Sequence, residues 1–500
     1  MRESKQSWLM GAVIVAITVV AYIPALQSAY IWDDDVYVTN NPAIRTVAGL
    51  VSSWTHLSAN VQYYPLVFTS FWLEYHFWQL SPFGYHLVNV LLHVLNACLV
   101  WHILNRLEVR GAWLAAAVFA VHPVHVESVA WITERKNVLS GLFYLGALAA
   151  YLRFANCWRD VEPRNNDRGS GNAGRAYAIA FLLFVFALLS KTVTTTLPLI
   201  LLVMAWWKRG TLEKRDVLPL VPFLLMGALM GSVTPYLERV QVGASGREWD
   251  LTLIDRSLIA GRAIWFYVYK VLLPFHLIFS YPRWSVDASS WWQYLFPAAA
   301  LGTLIVLYVK RARIGRGVLA AVLFFVLTLS PALGFLDIYP MRYSFVADHF
   351  QYLASLGPIV LVSAMLSKAA EGLAGVQTPA GAQRLRLATL IPALLLLVNL
   401  AALTWRQSSI YRNERTLWSD TIAKNPDSWL AYNNLGLYYY RQYDWGRALP
   451  MFEESLKINP DNAEAHYNLA LLLRGTGREA DAELHFRIAA RLRPRTSRRN

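Results

Sequence analysis

For about four-fifths of its length the chain alternates long apolar stretches with short polar connections, most of them basic. The last hundred residues change to a mixed amphipathic pattern. A run of roughly 18–20 apolar residues spans a bilayer as a helix. About eleven segments read as spans: 8–29, 85–105, 111–129, 137–153, 176–190, 192–207, 217–235, 291–309, 317–335, 349–367 and 387–405. The first follows the basic start Arg2 and Lys5. Its length and the lack of a good cleavage site predict a retained anchor, not a signal peptide. A further apolar stretch, 257–280, carries Arg262, Lys270 and Pro274 between two loops expected on one side. It is expected to be re-entrant or interfacial, because a full crossing would invert every later loop.

Composition agrees with a membrane chain. Mean hydropathy is +0.33, with 56% hydrophobic and 16% charged residues. The net charge of +14 does not point to nucleic acid, since the basic residues punctuate apolar segments, the pattern that fixes topology. Loops bearing Arg106/Arg110, Arg153 to Arg175, Lys208 to Arg215, Lys310 to Arg316 and Lys368 to Arg386, with Arg2 and Lys5, total 20 basic residues and are expected inside. The opposite loops carry about 11. The N-terminus is therefore expected inside and the C-terminus outside. Cys98 and Cys157 form no disulfide framework.

The expected outer face collects the unusual residues. Asp33, Asp34 and Asp35 follow the first span. Adjacent carboxylates beside a membrane cost free energy unless a cation or a task compensates. Either acid could serve as general base or hold a divalent cation, and a solvated topology-enforcing loop is the alternative. His122, His125 and Glu127 lie within six residues at a helix end, where Pro123 makes metal-ligand spacing poor. His86, Asn89, His93 and Asn96 fall on one narrow face of the second span, as interhelical glue or the lining of a cavity. Arg135, Lys136, Lys191 and Arg342 are bases on the poorly charged side, suited to neutralising a phosphate or anchoring headgroups. Asp348 and His349 join them.

Pro426, Pro460 and Pro494 recur every 34 residues, the tetratricopeptide period. Leu435, Gly436, Tyr439, Ala448, Phe452 and Leu469, Ala470, Leu473, Ala482, Phe486 repeat its internal signature. Two full repeats follow one orphan helix around Arg415–Ala423, in which Trp418 takes the Phe position. So short an array is expected to lean on the membrane half or on a partner. A peptide groove is expected at Asn433 and Tyr467.

The stretches Ile31-Trp32-Asp33-Asp34, Tyr64-Pro65-Leu66, Ser81 through His93, Phe119 through Glu127, Leu188 through Lys191, and Ala347-Asp348-His349 to Gly357 resemble the transmembrane-and-tetratricopeptide-repeat O-mannosyltransferases. That resemblance covers nearly the whole chain. It implies a GT-C glycosyltransferase: an all-α bundle of about eleven spans (residues 1–405, first exterior loop 30–84) with a tetratricopeptide α-solenoid (406–500) on the exterior side. It departs from the family's pattern at Thr192, where a Glu is usual, and at His349, where an acid–arginine pair is usual.

The implied activity is inverting transfer of a sugar, mannose by family inheritance, from a polyprenyl-phosphate carrier to a hydroxyl, protein Ser/Thr foremost. The implied base is Asp33 or Asp34, with Asp33 favoured as the first acid of its motif. His86, His122, His125, Glu127, Arg135, Lys136, Lys191, Arg342, Asp348 and His349 are expected at donor phosphate or acceptor. The lipid tail is expected near 257–280, with Trp265 and Tyr267 as walls. A divalent cation is compatible but not required, and no metal site is assigned. Short basic loops and compact length imply a bacterial inner-membrane member using undecaprenyl phosphate, with periplasmic repeats. A non-catalytic envelope scaffold is the alternative. A transporter ranks below both, since the polar residues gather at one face.

Overall fold

A computed structural model describes residues 2–155, 169–244, 246–373 and 379–492. The expectations resting on Cys157, Arg159, Arg164, Arg168 and Pro494 lie outside the described residues. Among the described residues the chain is all-helical, without strands. Six helices are long and apolar enough to cross a membrane: Pro82–Arg106, Ile132–Phe154, Asn172–Ser190, Lys214–Val240, Trp291–Ile314 and Ile391–Ile410. Each overlaps an expected span.

The segment expected at 111–129 is a pair, Ala112–Ala120 and Pro123–Ala130, bent by 51°. Pro123 has no N–H to continue the ladder. Three more expected spans are shorter apolar helices, Ser7–Ala21, Arg316–Ala332 and Leu356–Ala370. The segment 192–207 divides into a 3-10 turn, Thr192–Thr196, and the helix Leu197–Arg209. The stretch at 257–280 is one helix, Leu253–Leu272, opened by a capping box between Thr252 and Asp255. It buries Leu258, Ile259, Ala263 and Tyr267 and exposes Leu253 and Leu272.

Polar side chains hold the bundle where apolar packing alone gives little specificity. His86, Asn89, His93 and Asn96 are all fully buried. Asn89 donates to the Trp131 carbonyl at 3.2 Å and Asn96 to the Val138 carbonyl at 2.9 Å. His93 lies 2.8 Å from the Tyr352 hydroxyl and 3.1 Å from the Ala120 carbonyl. Asn89, His93 and Asn96 therefore act as glue among the helices around Pro82–Arg106.

The repeats are helix pairs from Glu414 to Leu492. Asn413, Ser428, Asp444 and Asn462 each accept from a first-turn backbone N–H of the helix that follows. Such caps contribute about 1 kcal/mol each. Gly436 is required by close packing, because a Cβ there would stand 2.7 Å from the Phe452 ring.

The array leans on the membrane half, as its shortness predicts. Trp418 is fully buried, edge-on to Trp32 and Phe279 at ring-centre distances of 5.9 and 5.3 Å. The Lys424 ammonium donates to the Leu277 carbonyl at 2.9 Å and the Asn425 amide to the Ser280 carbonyl at 3.0 Å. The Ala29 N–H donates to the Arg412 carbonyl at 2.9 Å.

Candidate active site

Trp32 adopts φ 45°, the left-handed region that non-glycine residues rarely enter. Its ring stacks on Trp131 at 5.4 Å, which holds the turn. At this turn the three consecutive carboxylates diverge. Asp34 is fully buried and accepts from the Ile31 N–H at 2.9 Å, the Thr133 N–H at 2.8 Å and the Thr133 hydroxyl at 2.7 Å. Asp35 reaches Arg441 of the repeats at 3.5 Å. Asp33 makes no side-chain hydrogen bond among the described residues and lines a cavity of about 370 Å³.

That cavity lies where the bundle end meets the repeats. Asp33, Glu127, Trp131, Glu134, Lys136, Phe279, Tyr343 and His349 line the membrane half, and Leu430, Asn434, Leu437, Arg441 and Glu464 line the repeat half. A larger crevice, about 930 Å³, is bounded almost wholly by apolar side chains with Arg110 and Lys368 among them. It holds none of the clustered acids and histidines, so the smaller cavity is the candidate site.

Behind Asp33 runs a buried polar chain. Glu127 accepts from the His349 backbone N–H at 3.0 Å, and its other oxygen lies 2.9 Å from His349 Nδ1. Glu134 pairs with Lys136 at 2.9 Å and Lys191 at 3.2 Å, and accepts from the Asn137 amide at 2.6 Å. Glu134 is thus flanked by two ammonium groups and Glu127 is bound by His349, so neither buried carboxylate is left without a partner. Lys136 and His349 are the cavity's basic groups on the membrane side, and Lys191 stands one layer behind Glu134.

Burial beneath the repeats pushes Asp33 up to about 6; Lys136 opposes this, while Asp35, Glu134 and Glu464 add to it. Asp34 is pushed up to about 7, again chiefly by burial, against its three hydrogen bonds. Burial pushes Lys191 down to about 8. A half-buried carboxylate with no internal partner and an affinity for protons near neutrality is suited to take a proton from a bound hydroxyl.

The structure brings Asp33, Glu127, Lys136 and His349 together at the cavity. It does not bring the remaining candidates there. Arg135 is fully buried and turned into the core, bound to Glu74, Ser70, Asn89 and the Tyr85 carbonyl. His122 and His125 serve the bent pair: His122 Nε2 is 2.9 Å from the Val271 carbonyl, and His125 lies 2.8 Å from both the Phe119 carbonyl and the Ser355 hydroxyl. His86 is buried away from the cavity lining.

Asp348 accepts from the Tyr281 hydroxyl at 3.1 Å, away from the lining. Arg342 pairs with Glu248 at 3.3 Å and lies over Trp429, joining the 339–347 segment to the repeats. Tyr267 packs inside the bundle, where its hydroxyl accepts from the Ala347 N–H, so it walls no lipid groove. Trp265 donates to the Phe296 carbonyl. Asn433 is buried against Asn468, and Tyr467 packs on Phe486; neither lines the cavity, whereas Asn434 does. Thr192, where the resemblance implied a Glu, accepts from the Thr234 hydroxyl at 2.7 Å. Among the described residues no group of three His, Cys, Asp or Glu is arranged to hold a metal ion. Sequence reasoning missed Asn434, Arg441 and Glu464, which lie outside the signature positions of the repeats.

A tetratricopeptide-repeat family matches residues 434–495. Over 96% of its length the chain is 24% identical to protein O-mannosyl-transferase Tmtc3 of Drosophila melanogaster, covering 58% of that protein. It is 22% identical over 96% of its length to protein O-mannosyl-transferase F38B6.6 of Caenorhabditis elegans, covering 62%. It is 25% identical over 97% of its length to human protein O-mannosyl-transferase TMTC1, covering 55%. The chain thus spans somewhat over half the length of these relatives. Its homologues are the transmembrane and tetratricopeptide-repeat O-mannosyltransferases, matched through both the membrane half and the repeats.

Proposed function

We propose that the chain is a membrane glycosyltransferase that moves a hexose, mannose by analogy with its relatives, from a polyprenyl-phosphate carrier to a hydroxyl of a protein Ser or Thr. The observation that carries this reading is the isolation of Asp33. Asp33 and Asp35 both line the cavity that also holds Lys136 and His349, but Asp35 is paired with Arg441, and Asp33 alone of the three acids has no side-chain hydrogen bond or ion pair among the described residues.

The acceptor oxygen attacks the anomeric carbon, and the bond from that carbon to the phosphate oxygen breaks. The acceptor proton passes to Asp33, and the departing polyprenyl phosphate keeps the electron pair, so configuration inverts. Lys136 and His349 offset the phosphate charge as it develops, with Lys191 adding through Glu134 and Glu127 fixing the His349 ring. Asp34 holds the turn that aims Asp33. The phosphate leaves as an already stable anion, so no strong general acid is needed.

This reading makes residues 1–405 the catalytic unit and 406–500 the repeat domain, in a bacterial inner membrane with the cavity on the periplasmic side. The test is purified full-length protein in nanodiscs with radiolabelled mannosyl-phosphoryl-undecaprenol and a Ser/Thr-containing peptide. Label should appear on the peptide hydroxyls with inverted anomeric configuration. Failure to consume the donor with any hydroxyl acceptor refutes the proposal.

A further inference from the structure

Leu430, Asn434, Leu437 and Arg441 line the cavity from one face of the helix Trp429–Arg441, at spacings of four, three and four. Glu464, from the next repeat, joins them. This face is held in position by the Trp418, Lys424 and Asn425 contacts and by Trp429, whose ring lies 5.2 Å from that of Tyr343.

Arg441 differs from the structural arginines of this protein. Arg256 bonds the carbonyls of Leu251, Trp249 and Gly334 and the Asp337 carboxylate. Arg441 is 47% exposed and makes two long ion pairs, 3.5 Å to Asp35 and 3.6 Å to Glu414, with no hydrogen bond among the described residues. Its five N–H donors are therefore only loosely engaged.

We infer that Arg441 and Glu464 are acceptor-positioning residues, so that the repeats form one wall of the reaction chamber and do not merely deliver acceptor to it. The inference rests on the transferase reading above. An acceptor segment lying along the helix face offers carbonyl groups to Arg441 and N–H or hydroxyl groups to Glu464, with Leu430 and Leu437 beneath its apolar atoms. Replacing the two long ion pairs with direct hydrogen bonds loses little, which suits a site that binds and releases polypeptide. The anionic donor belongs on the opposite side of the chemistry, at Lys136 and His349, because Glu414 and Glu464 repel it from the repeat wall.

The experiment uses the full chain in nanodiscs, with initial rates measured separately against the Ser/Thr peptide and against mannosyl-phosphoryl-undecaprenol. Arg441→Ala and Glu464→Gln should each raise the peptide KM about 10-fold, the loss of one charge-assisted hydrogen bond. The donor KM should stay unchanged and kcat within about threefold. Arg441→Lys should recover part of the loss. Lys457→Ala, on an exposed part of the repeats outside the cavity, should change nothing. A peptide KM within twofold of the parent for both variants overturns the inference. So does a fall in kcat at constant peptide KM, which would mean Arg441 acts only on the loop through Asp35. A parent protein that transfers to no hydroxyl sinks the transferase reading and the inference with it, whereas an active parent with indifferent variants sinks the inference alone.

Discussion

Replacing Asp33 and Asp34 separately by Asn should produce opposite phenotypes, although the two residues are adjacent and chemically identical. The Asp33 carboxylate has no hydrogen bond to lose among the described residues. Its Asn variant keeps the shape of the turn and removes the unpaired carboxylate that takes the acceptor proton in this reading. General-base catalysis contributes about 10²–10⁴-fold, so transfer should fall by that factor. Burial raises the proton affinity of Asp33, so holding it ionised opposes folding as pH rises from the ordinary carboxylate range through about 6. Asp33→Asn should therefore unfold at or above the parent temperature at pH 7.5.

Asp34 uses one oxygen for the Ile31 N–H and the other for both Thr133 donors. An amide cannot accept on both sides, so Asp34→Asn sets an N–H₂ group against a backbone N–H. Leaving that buried donor unpaired costs about 1–3 kcal/mol. Thermal unfolding of the nanodisc-embedded protein and single-turnover transfer separate the effects. Asp33→Asn should lose rate with stability kept, and Asp34→Asn should lose stability first. An Asp33→Asn variant retaining more than about a tenth of parent turnover would refute the assignment of the base.

Two further outcomes are expected. The rate of transfer should rise with pH through about 6, where Asp33 ionises, and fall above about 8, where buried Lys191 loses its proton and Glu134 its balance; the log of kcat/KM recorded from pH 5 to 9 checks both limbs, and Lys191→Arg should remove the upper one. Glu74→Ala should strip fully buried Arg135 of its carboxylate partner and destabilise the chain by about 3–5 kcal/mol, read as a lowered unfolding temperature; an unchanged midpoint would mean that the pair does not hold the loop to the bundle.

Hydropathy alone marked the helical elements, because each span must satisfy its own backbone in lipid and so announces itself as a continuous apolar run. The repeats were equally legible, since Gly436, Ala448 and Phe452 must recur at fixed spacing for paired helices to close. The polar row of the second span was visible as a face, but its partners Tyr352 and Val138 lie far along the chain. Arg135 illustrates the limit: a base on a sparsely charged side reads as a phosphate ligand until the fold brings Glu74 against it. Histidines 122 and 125 were likewise taken up by carbonyls near the Pro123 bend.

The sequence by itself determined an all-helical membrane chain with a repeat tail and an acidic motif worth testing, because periodicity and apolar run length are local properties. Only tertiary structure decided which acid stands unpaired at a cavity, which bases stand beside it, and that Arg441 and Glu464 of the repeats complete its wall. Those choices depend on the backbone turn at Trp32 and on contacts such as that of Asp35 with Arg441, between segments far apart in the chain, about which spacing along the chain carries no information.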